Sequence, residues 1–294
     1  MKKNEAFSLF GIFGYPLAHS LSPDMQEAAF EKLGMQAFYL VLELGPRRFR
    51  NVMARLRKAP LQGFNVTVPY KETVLPYLDK VSLEASRIGA VNTVYRRGKS
   101  WRGANTDVHG FLKSLEDEAG FKVRGCKAAV LGAGGAARAV TYALAERGAR
   151  EITLINRNRA RASRLAREFG SIFKRVRLNA LPLDPKAAPV LADAALVVNA
   201  TSVGLKGGSP VPGAWIPKAA GKPKLFFDLI YFPRETQFLK EARKKGHRVL
   251  NGTGMLVHQG ARALEYWTGK KAPAGVMRAA LLKALEAREG KKTA

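Results

Sequence analysis

Two neighbouring apolar runs stand near the middle of the chain; small residues follow the first, and an arginine follows the second. Gly132, Gly134 and Ala137 come after the run 128–131 in the spacing Gly-x-Gly-x-x-Ala. This turn between a strand and a helix is typical of dinucleotide sites, because its backbone approaches the pyrophosphate closely and the helix N-terminus offers unpaired N–H groups. The residues predicted to line the site are Gly132, Gly134, Gly135, Ala136 and Ala137.

The next apolar run, 152–155, indicates which dinucleotide binds. An acid normally stands about 20 residues beyond the glycines and binds the ribose 2′-hydroxyl of NAD, whereas an arginine there accommodates the 2′-phosphate of NADP. Asn156 and Arg157 close the run, Arg161 follows, and no acid stands among them. A guanidinium makes two aligned bonds to a phosphate, so the sequence predicts NADP, although Arg157 alone could be a solvated surface residue.

Polar side chains also stand at turns in the first hundred residues. Ser20 and Ser22 precede a helix predicted to begin at Pro23. Two hydroxyls at a helix start could bind a carboxylate, while Ser22 alone is predicted to be the N-cap. Asn65 and Thr67 share one face of a predicted strand, because side chains repeat every two residues.

Lys71 and Asp107 are the candidate catalytic groups. Lys71 follows Pro69, where a helix is predicted to begin, and Asp107 follows the predicted strand 101–103. An ammonium can stabilise negative charge on a reacting oxygen and deliver a proton, and a carboxylate can orient it or share the proton. Each residue alone would have a simpler role, Lys71 on the surface and Asp107 as a helix cap.

The elements that must position these residues alternate between strands and helices. The predicted strands are 9–14, 38–42, 64–68, 91–95, 101–103, 127–131, 151–155, 194–199, 224–229 and 248–250. The predicted helices are 23–30, 47–58, 136–147, 160–169, 235–245, 255–267 and 276–287. This order predicts an α/β protein with a Rossmann-type doubly wound parallel sheet and an α/β substrate-binding domain whose sheet is mostly parallel.

The last two helices are too few to fold alone, so we expect them to pack on the first domain. The predicted substrate-binding and catalytic domain is therefore discontinuous, 1–107 plus 253–294, and the NADP-binding domain is 108–252. A cleft between two domains is a frequent place for a ligand.

Composition limits the class of protein. The 294 residues are 47% hydrophobic, enough for two cores, and no apolar stretch reaches the length of about 20 residues that a membrane span needs. No apolar signal segment follows the N-terminus. The single Cys126 fits a reducing compartment, so we expect a cytoplasmic protein with an inert, packed or half-buried thiol.

The net charge is strongly positive. Lys and Arg total 50 against 23 Asp and Glu, a formal charge of +27, which suits anionic ligands or a polyanionic partner. The basic residues are spread along the chain without a like-charge tail or an RNA-binding aromatic signature, so no nucleic acid is expected as the main partner. Four histidines show no metal-site spacing, and His19 is expected to pack beside the serines. Monomer and homodimer are both plausible.

Six short motifs resemble those of the shikimate dehydrogenase family and occur in the same order along the chain. They are 20–23, 65–71, 89–94, 103–107, 199–204 and 251–259, and the signatures 132–138 and 156–161 are similar too. The resemblance runs from about residue 10 to residue 280. It implies reversible reduction of 3-dehydroshikimate to shikimate by NADPH, a step of aromatic amino acid biosynthesis.

The resemblance also implies residue roles. Lys71 and Asp107 are similar to the catalytic pair of the family. The implied substrate-binding residues are Ser20, Ser22, Asn65, Thr67, Asn92, Tyr231 and Gln259, with the two serines at the substrate carboxylate. The implied cofactor-binding set adds Thr201, Gly252 and Met255, the last two beside the nicotinamide. Asn158 stands where the family often has threonine, and its amide can still donate a hydrogen bond to the phosphate.

Two alternatives stay open. The chain could be a quinate or dual-specificity relative that uses NAD, which an acid in place of Asn156 or Arg157 would have favoured. It could also be a basic nucleic-acid-binding protein on a dehydrogenase scaffold. The sequence does not decide whether Lys71 or Asp107 is the principal acid–base group.

Overall fold

A computed structural model describes residues 7–17 and 20–293. Its strands are β1 Ser8–Gly14, β2 Ala37–Glu43, β3 Gly63–Val66, β4 Lys80–Val81, β5 Thr93–Arg97, β6 Ser100–Ala104, β7 Lys127–Leu131, β8 Glu151–Asn156, β9 Arg177–Pro182, β10 Leu196–Asn199, β11 Leu225–Asp228 and β12 Arg248–Leu250. Its α-helices are α1 Ser22–Lys32, α2 Pro46–Ala54, α3 Leu83–Ile88, α4 Asp107–Lys113, α5 Gly135–Glu146, α6 Arg159–Ile172, α7 Ala188–Asp193, α8 Gln237–Lys244, α9 Thr253–Thr268 and α10 Ala274–Thr293.

The chain divides into two compact units, Met1–Gly110 with Leu256–Ala294, and Phe111–Met255. Each unit holds one six-stranded sheet, and both sheets are mostly parallel. The predicted fold class, two α/β domains of which one is Rossmann-type, is confirmed.

The first unit has the strand order β2-β1-β3-β5-β6-β4. β5 runs antiparallel to both of its neighbours, and the other pairings are parallel. One side of this sheet packs a core in which Phe13 stacks on Phe64 and Phe64 contacts Trp101. On α9, the Trp267 indole donates to the carbonyl of Val94, so this helix is tied to the middle of the sheet.

Three local predictions in this unit are wrong. Ser22 is the first residue of α1 rather than its N-cap; Leu21 occupies the cap position, and no side chain there accepts a cap hydrogen bond. No α-helix begins at Pro69, because residues 71–74 form turns that lead into a short 3₁₀ helix, Leu75–Tyr77. Helix α2 also ends at Ala54, four residues before the predicted end, and a separate 3₁₀ turn follows.

The second unit has the order β12-β11-β10-β7-β8-β9 with every pairing parallel. This is the doubly wound order, in which the chain leaves one half of the sheet after β9 and returns beside β7 as β10. The fully buried strands are apolar on both faces, as in Leu196–Val198 and Leu225–Phe227. The carboxyl ends of all six strands therefore lie along one edge of the sheet.

Cys126 precedes β7 and is half-buried. Burial raises the pKa of its thiol from 9.0 to about 11, and a backbone hydrogen bond at the same residue acts in the opposite direction. At neutral pH the thiolate, which is the nucleophilic form, is therefore a minor species.

We expect iodoacetamide to alkylate Cys126 in the native protein at least about a hundredfold more slowly at pH near 8 than in the unfolded chain, because the thiolate fraction falls tenfold for each unit of raised pKa. Mass spectrometry of timed samples, with and without guanidinium, gives both rates. Equal rates in the two states would contradict this account of the thiol.

Candidate active site

Lys71, Asp107 and Asn92 form a charged cluster in the first unit. The Lys71 ammonium lies 2.5 Å from Oδ2 of Asp107, and the Asn92 amide donates to Oδ1 of the same carboxylate at 2.8 Å. Asp107 is buried and Lys71 keeps a small exposed fraction. Since an ammonium has three hydrogens, Lys71 can donate to Asp107 and still present an N–H elsewhere.

The antiparallel hairpin explains why these three residues meet. Asn65 near the end of β3 faces Thr93 at the start of β5, and Thr93 faces Ala104 at the end of β6. The carboxyl end of β3, the amino end of β5 and the carboxyl end of β6 therefore share one edge of the sheet. Lys71 follows β3 on that edge, and its carbonyl accepts from the N–H of Val91.

Asn92 is the most connected member of the site. Its Nδ2 donates to Thr106 at 3.0 Å and to Gln259 at 3.3 Å, besides Asp107. Its Oδ1 accepts the backbone N–H of Thr106 at 2.7 Å and the hydroxyl of Thr93 at 3.0 Å. A buried amide with all its groups engaged has one orientation, so it holds Asp107 in a fixed position.

Tyr39 links two other candidate residues. Its phenol donates to Oδ1 of Asn65 at 2.7 Å and also hydrogen-bonds the Ser22 hydroxyl. Burial raises the pKa of Tyr39, so the phenol keeps its proton. Nδ2 of Asn65 donates to the Asn92 carbonyl at 3.1 Å. Tyr39 was not among the residues predicted from the sequence. A buried tyrosine needs a partner for its hydroxyl, and that need was the available signal.

Other predicted substrate residues lie in the same unit. The Ser22 N–H donates to the Ser20 hydroxyl at 3.3 Å, which places both serines at the start of α1. Thr67 follows β3, and its N–H donates to the carbonyl of Phe13. Gln259 on α9 accepts from Asn92. Tyr231, in contrast, lies in the second unit after β11.

The glycine turn of the second unit lies between β7 and α5. Gly132 has a φ of +115°, a backbone conformation that is strained for any residue with a side chain. A Cβ at this position would also come within 3.2 Å of Ala200 and Thr201 after β10. A Cβ at Gly134 would enter open space in front of α5. This turn lies at the point where the strand order reverses, the expected place for a dinucleotide pyrophosphate.

The end of β8 carries the residues predicted to select NADP. The Asn156 amide donates to the Asn158 carbonyl at 2.9 Å, and the Asn158 side chain caps α6 by accepting from the N–H of Arg161. Arg157 is exposed and forms no ion pair with any residue in the described ranges. The residues present therefore fit a 2′-phosphate, since a cation is available and no carboxylate would repel the phosphate.

Asn199 and Asp228 organise the loop that contains Thr201. The Asn199 Oδ1 accepts both the N–H and the hydroxyl of Thr201, and its Nδ2 donates to Asp228 at 2.9 Å. Asp228 is fully buried and also accepts from the Thr236 hydroxyl and the Ile230 N–H. Burial raises the pKa of Asp228 from 3.8 to about 6, and the three hydrogen bonds act against that rise.

Gly252 and Met255 follow β12. A Cβ at Gly252 would lie 2.0 Å from the carbonyl oxygen of Leu229, so only glycine allows the chain to pass the loop after β11 so closely. Met255 is buried near the start of α9. The predicted cofactor residues thus follow β7, β8, β10 and β12 at the carboxyl edge of the sheet.

The described part of the chain contains neither a candidate metal cluster nor a helix that could span a membrane. Within residues 7–17 and 20–293, no group of three or more His, Cys, Asp or Glu could hold a metal ion. In the same part of the chain, no helix is long and apolar enough to cross a membrane. His19 lies outside the described residues.

Comparison with family models gives three consecutive matches. The model for the shikimate dehydrogenase substrate binding domain matches residues 12–94, that for shikimate/quinate 5-dehydrogenase matches residues 114–237, and that for the shikimate 5′-dehydrogenase C-terminal domain matches residues 252–282. Together they cover most of the chain.

Curated relatives and solved structures agree with these matches. The NADP-dependent shikimate dehydrogenase of Symbiobacterium thermophilum is 45% identical over 95% of this chain and 95% of its own length. The Thermus thermophilus shikimate 5-dehydrogenase, solved with NADP(H) and shikimate, is 41% identical, with a TM-score of 0.81 over 95% of this chain and all of that one. Quinate dehydrogenase of Corynebacterium glutamicum, solved with NAD, is 32% identical, with a TM-score of 0.84 over 95% of this chain and 100% of that chain.

The buried carboxyl of Asp228 generates a prediction about stability. A folded-state pKa of about 6 against 3.8 means that the folded protein binds the extra proton between these values. Its contribution is fully present below the lower pKa and is lost as pH rises through the higher one. We expect the stability of the wild type relative to Asp228→Asn to fall by about 2 kcal/mol between about pH 4 and pH 7.

Urea unfolding of both proteins across this pH range measures the difference. The exposed Glu31→Gln is the control and should show a much smaller change relative to the wild type. Parallel stability curves for the wild type and Asp228→Asn would show that Asp228 does not take up the proton.

Proposed function

Since the chain belongs to the shikimate dehydrogenase family, we propose that it catalyses the reversible NADPH-dependent reduction of 3-dehydroshikimate to shikimate. In aromatic amino acid biosynthesis this step converts a ring ketone into a hydroxyl. The observation that carries the proposal is the Lys71–Asp107 ion pair at 2.5 Å, in which the Asp107 carboxylate is buried and the Lys71 side chain keeps a small solvent-exposed fraction.

Lys71 and Asp107 are proposed as the catalytic pair. Reduction adds a hydride to the ketone carbon and leaves negative charge on the oxygen, which then needs a proton. The Lys71 ammonium stabilises that charge and delivers the proton, and Asp107 holds the ammonium in place. Lys71 then regains a proton from solvent, which its exposed fraction permits. In the reverse direction the same pair accepts the proton from the substrate hydroxyl.

The polar residues of the first unit are proposed to bind the substrate. Ser20 and Ser22 at the start of α1 would hold the carboxylate, because hydroxyls and a helix N-terminus favour an anion. The ring hydroxyls would contact Asn65, Thr67, Asn92, Asp107 and Gln259. Tyr231 of the second unit is proposed to reach the carboxylate. Tyr39 positions Ser22 and Asn65 through its phenol.

The second unit is proposed to hold NADP, which supplies the hydride when bound. Gly132, Gly134 and Ala137, with Gly135 and Ala136 between them, would accommodate the pyrophosphate at the N-terminus of α5. Asn156, Arg157 and Arg161 would bind the 2′-phosphate, Gly252 and Met255 would lie at the nicotinamide end, and Thr201 would also contact the cofactor. The predicted domains, 1–107 plus 253–294 and 108–252, divide the two binding tasks in this proposal.

A quinate activity with NAD is the competing function. The similarity to the NAD-bound quinate dehydrogenase supports its consideration. The end of β8 argues against it, because Asn156 and Arg157 supply no carboxylate for the ribose 2′-hydroxyl of NAD. Initial rates with NADP⁺ and NAD⁺, each against shikimate and quinate, compare the two functions directly.

The setting of the reaction is also a proposal. The free thiol of Cys126 suits the cytoplasm, because thiols stay reduced there. The ligands are small molecules, and no nucleic-acid partner is proposed. The protein is proposed to act as a monomer or a homodimer.

Removal of the Lys71 ammonium tests the catalytic pair. We expect Lys71→Ala to lower kcat at least about a hundredfold, the range of acid–base catalysis, with a smaller change in KM for shikimate. Absorbance of NADPH during turnover gives both constants. The exposed Lys99→Ala serves as a matched control and should keep wild-type kcat. An unchanged kcat in Lys71→Ala would remove Lys71 from the mechanism.

Removal of the Arg157 guanidinium tests cofactor selection. We expect Arg157→Ala to raise KM for NADPH about tenfold or more while KM for NADH changes little, because only NADPH carries the 2′-phosphate. Arg164→Ala, at an exposed arginine on α6, is the control for loss of one positive charge. Equal effects on both cofactors, or equal effects of both variants, would show that Arg157 acts only through net charge.

A further inference from the structure

A cavity with a basic lining lies at the amino edge of the sheet in the second unit. Its volume is about 520 Å³, which is within the range of small-molecule sites. The first residues of three strands line it, Lys127 of β7, Glu151 of β8 and Arg177 of β9. Because these strands are parallel neighbours, their starts lie side by side across about 10 Å. The predicted cofactor residues follow the carboxyl ends of the strands, so this basic cavity is a separate place on the same sheet.

Positive charge dominates the lining of the basic cavity. The charged side chains are those of Lys127, Arg150, Glu151, Lys174, Arg175 and Arg177. Five cations less one carboxylate leave a formal charge of +4 around the cavity. Like charges held this close repel one another unless counter-charges are near. What the cavity can bind therefore depends on which of its cations have carboxylate partners.

Two of the five cations have such partners. Lys127 pairs with Asp193, and Nη1 of Arg177 lies 3.5 Å from Oε2 of Glu151. The other oxygen of Glu151 accepts a hydrogen bond from the Asn179 amide at 2.8 Å. Both oxygens of the one carboxylate in the lining are therefore already engaged.

The other three cations, Arg150, Lys174 and Arg175, have no counter-charge. All three are exposed, and none of them forms an ion pair with a residue in the ranges 7–17 and 20–293. A guanidinium can make two aligned hydrogen bonds to a phosphate, and an ammonium adds a compact charge with three donors. The donors left over in the cavity thus suit an anion with several negative groups close together.

The backbone that carries Arg150 is fixed on both sides. Its N–H donates to the carbonyl of Cys126 at 2.8 Å, and its carbonyl accepts from the N–H of Arg177 at 3.0 Å. These two bonds continue the pairing of β8 with both neighbouring strands by one residue. Binding at Arg150 therefore has to order only the side chain, which lowers the entropic cost.

A short turn after α6 carries the other two cations. The N–H of Val176 donates to the carbonyl of Phe173 at 3.2 Å, which closes a four-residue turn with Lys174 and Arg175 at its centre. The Phe173 ring packs edge-on against the rings of Tyr142 and Phe169. The turn is thus anchored to the core, and its two cations stay next to each other at the cavity.

The shape and lining of the cavity favour a small ligand over a nucleic acid. Proteins that bind single strands combine a long basic groove with aromatic side chains on which the bases stack. None of the described residues that line this cavity is aromatic, and its charged side chains surround one compact space. A polyphosphate chain, in contrast, needs only several donors within a short distance.

We infer that the basic cavity binds a small molecule with a polyphosphate chain, through Arg150, Lys174 and Arg175. The chain is either inorganic or part of a nucleoside polyphosphate, since both present the same closely spaced negative groups. The inference does not rest on the proposed function, because binding is measured directly and at a place away from Lys71 and Asp107.

Calorimetric titration with inorganic triphosphate is the test. We expect the wild type to bind it with a Kd below about 0.1 mM at about 50 mM salt, and to bind inorganic monophosphate at least about tenfold more weakly, because one phosphate cannot meet all three cations. The double variant Lys174→Ala/Arg175→Ala and the single variant Arg150→Ala should each weaken triphosphate binding at least about tenfold, since each removes charge-assisted hydrogen bonds. Urea unfolding of each variant checks that it folds.

Adenosine triphosphate in a parallel titration separates the two sources of the chain. Equal affinity for both compounds would show that the cavity binds the polyphosphate chain alone. Tighter binding of adenosine triphosphate, lost in the same variants, would show that the ligand is a nucleoside polyphosphate.

Lys240→Ala/Lys244→Ala is the matched control, because it also removes two exposed cations from the second unit. Both lysines lie on α8, which packs against β11 and β12 at the far end of the sheet from β9. We expect this variant to change the Kd for triphosphate less than about twofold, since distant exposed charges are screened by salt. Arg157→Ala, at the predicted cofactor site, should have an equally small effect.

Four results would overturn the inference. No binding of triphosphate to the wild type at about 1 mM would show that the three cations are only a solvated surface. Equal weakening by the two double variants would attribute binding to net charge. Loss of binding in Arg157→Ala would place the triphosphate at the predicted cofactor site. A short single-stranded oligonucleotide that binds at least about tenfold more tightly than triphosphate, and loses this in Lys174→Ala/Arg175→Ala, would make a nucleic acid the occupant.

Discussion

The ion pair between the buried carboxylate of Asp107 and Lys71 is the interaction on which the site of the first unit depends. A buried charge is costly unless donors surround it, and here Lys71 and the Asn92 amide supply them. Asn92 can donate in that direction only because Thr93 and Thr106 occupy its acceptor oxygen. The polar network therefore fixes the position of the ion pair before any ligand is present.

Sheet topology is what brings these residues to one place. If β5 ran parallel to β3, Asn92 at its start would lie at the opposite edge from Lys71. The hairpin of β5 and β6 reverses that direction and places Asn92 between the ends of β3 and β6. The second unit needs no antiparallel strand, because in an all-parallel sheet the residues predicted to bind the cofactor all lie at the carboxyl edge.

Sequence patterns predicted the elements with strong local signals. Strands β7 and β12 have the predicted bounds because apolar runs and glycines delimit them. The predicted strands 91–95 and 101–103 correspond to β5 and β6, which pair antiparallel. The two-residue strand β4 was missed because it is too short to show a period. Strand β9 was missed because Arg177–Pro182, largely half-exposed, carries no apolar run.

The candidate site was predictable in its residue types but not in its supporting contacts. Lys71 and Asp107 are far apart in sequence, and the motifs alone suggested that they meet. The bond from Tyr39 on β2 to Asn65 on β3 depends on the register of both strands with β1 between them, and the contact of Asn199 with Asp228 depends on the register of β10 with β11. No local pattern fixes strand register. Turns at residues 71–74 stand where a helix was predicted after Pro69, and Lys71 in these turns pairs with Asp107.

The central claim is that Lys71 and Asp107 act as one catalytic unit. A double-mutant cycle of kcat for Lys71→Ala, Asp107→Asn and the double variant tests it most directly, with unfolding measured in parallel to show that all three proteins fold. The account predicts that the double variant is about as slow as the slower single variant, because either change disables the same pair. Losses that multiply in the double variant would show two independent roles and would contradict the account.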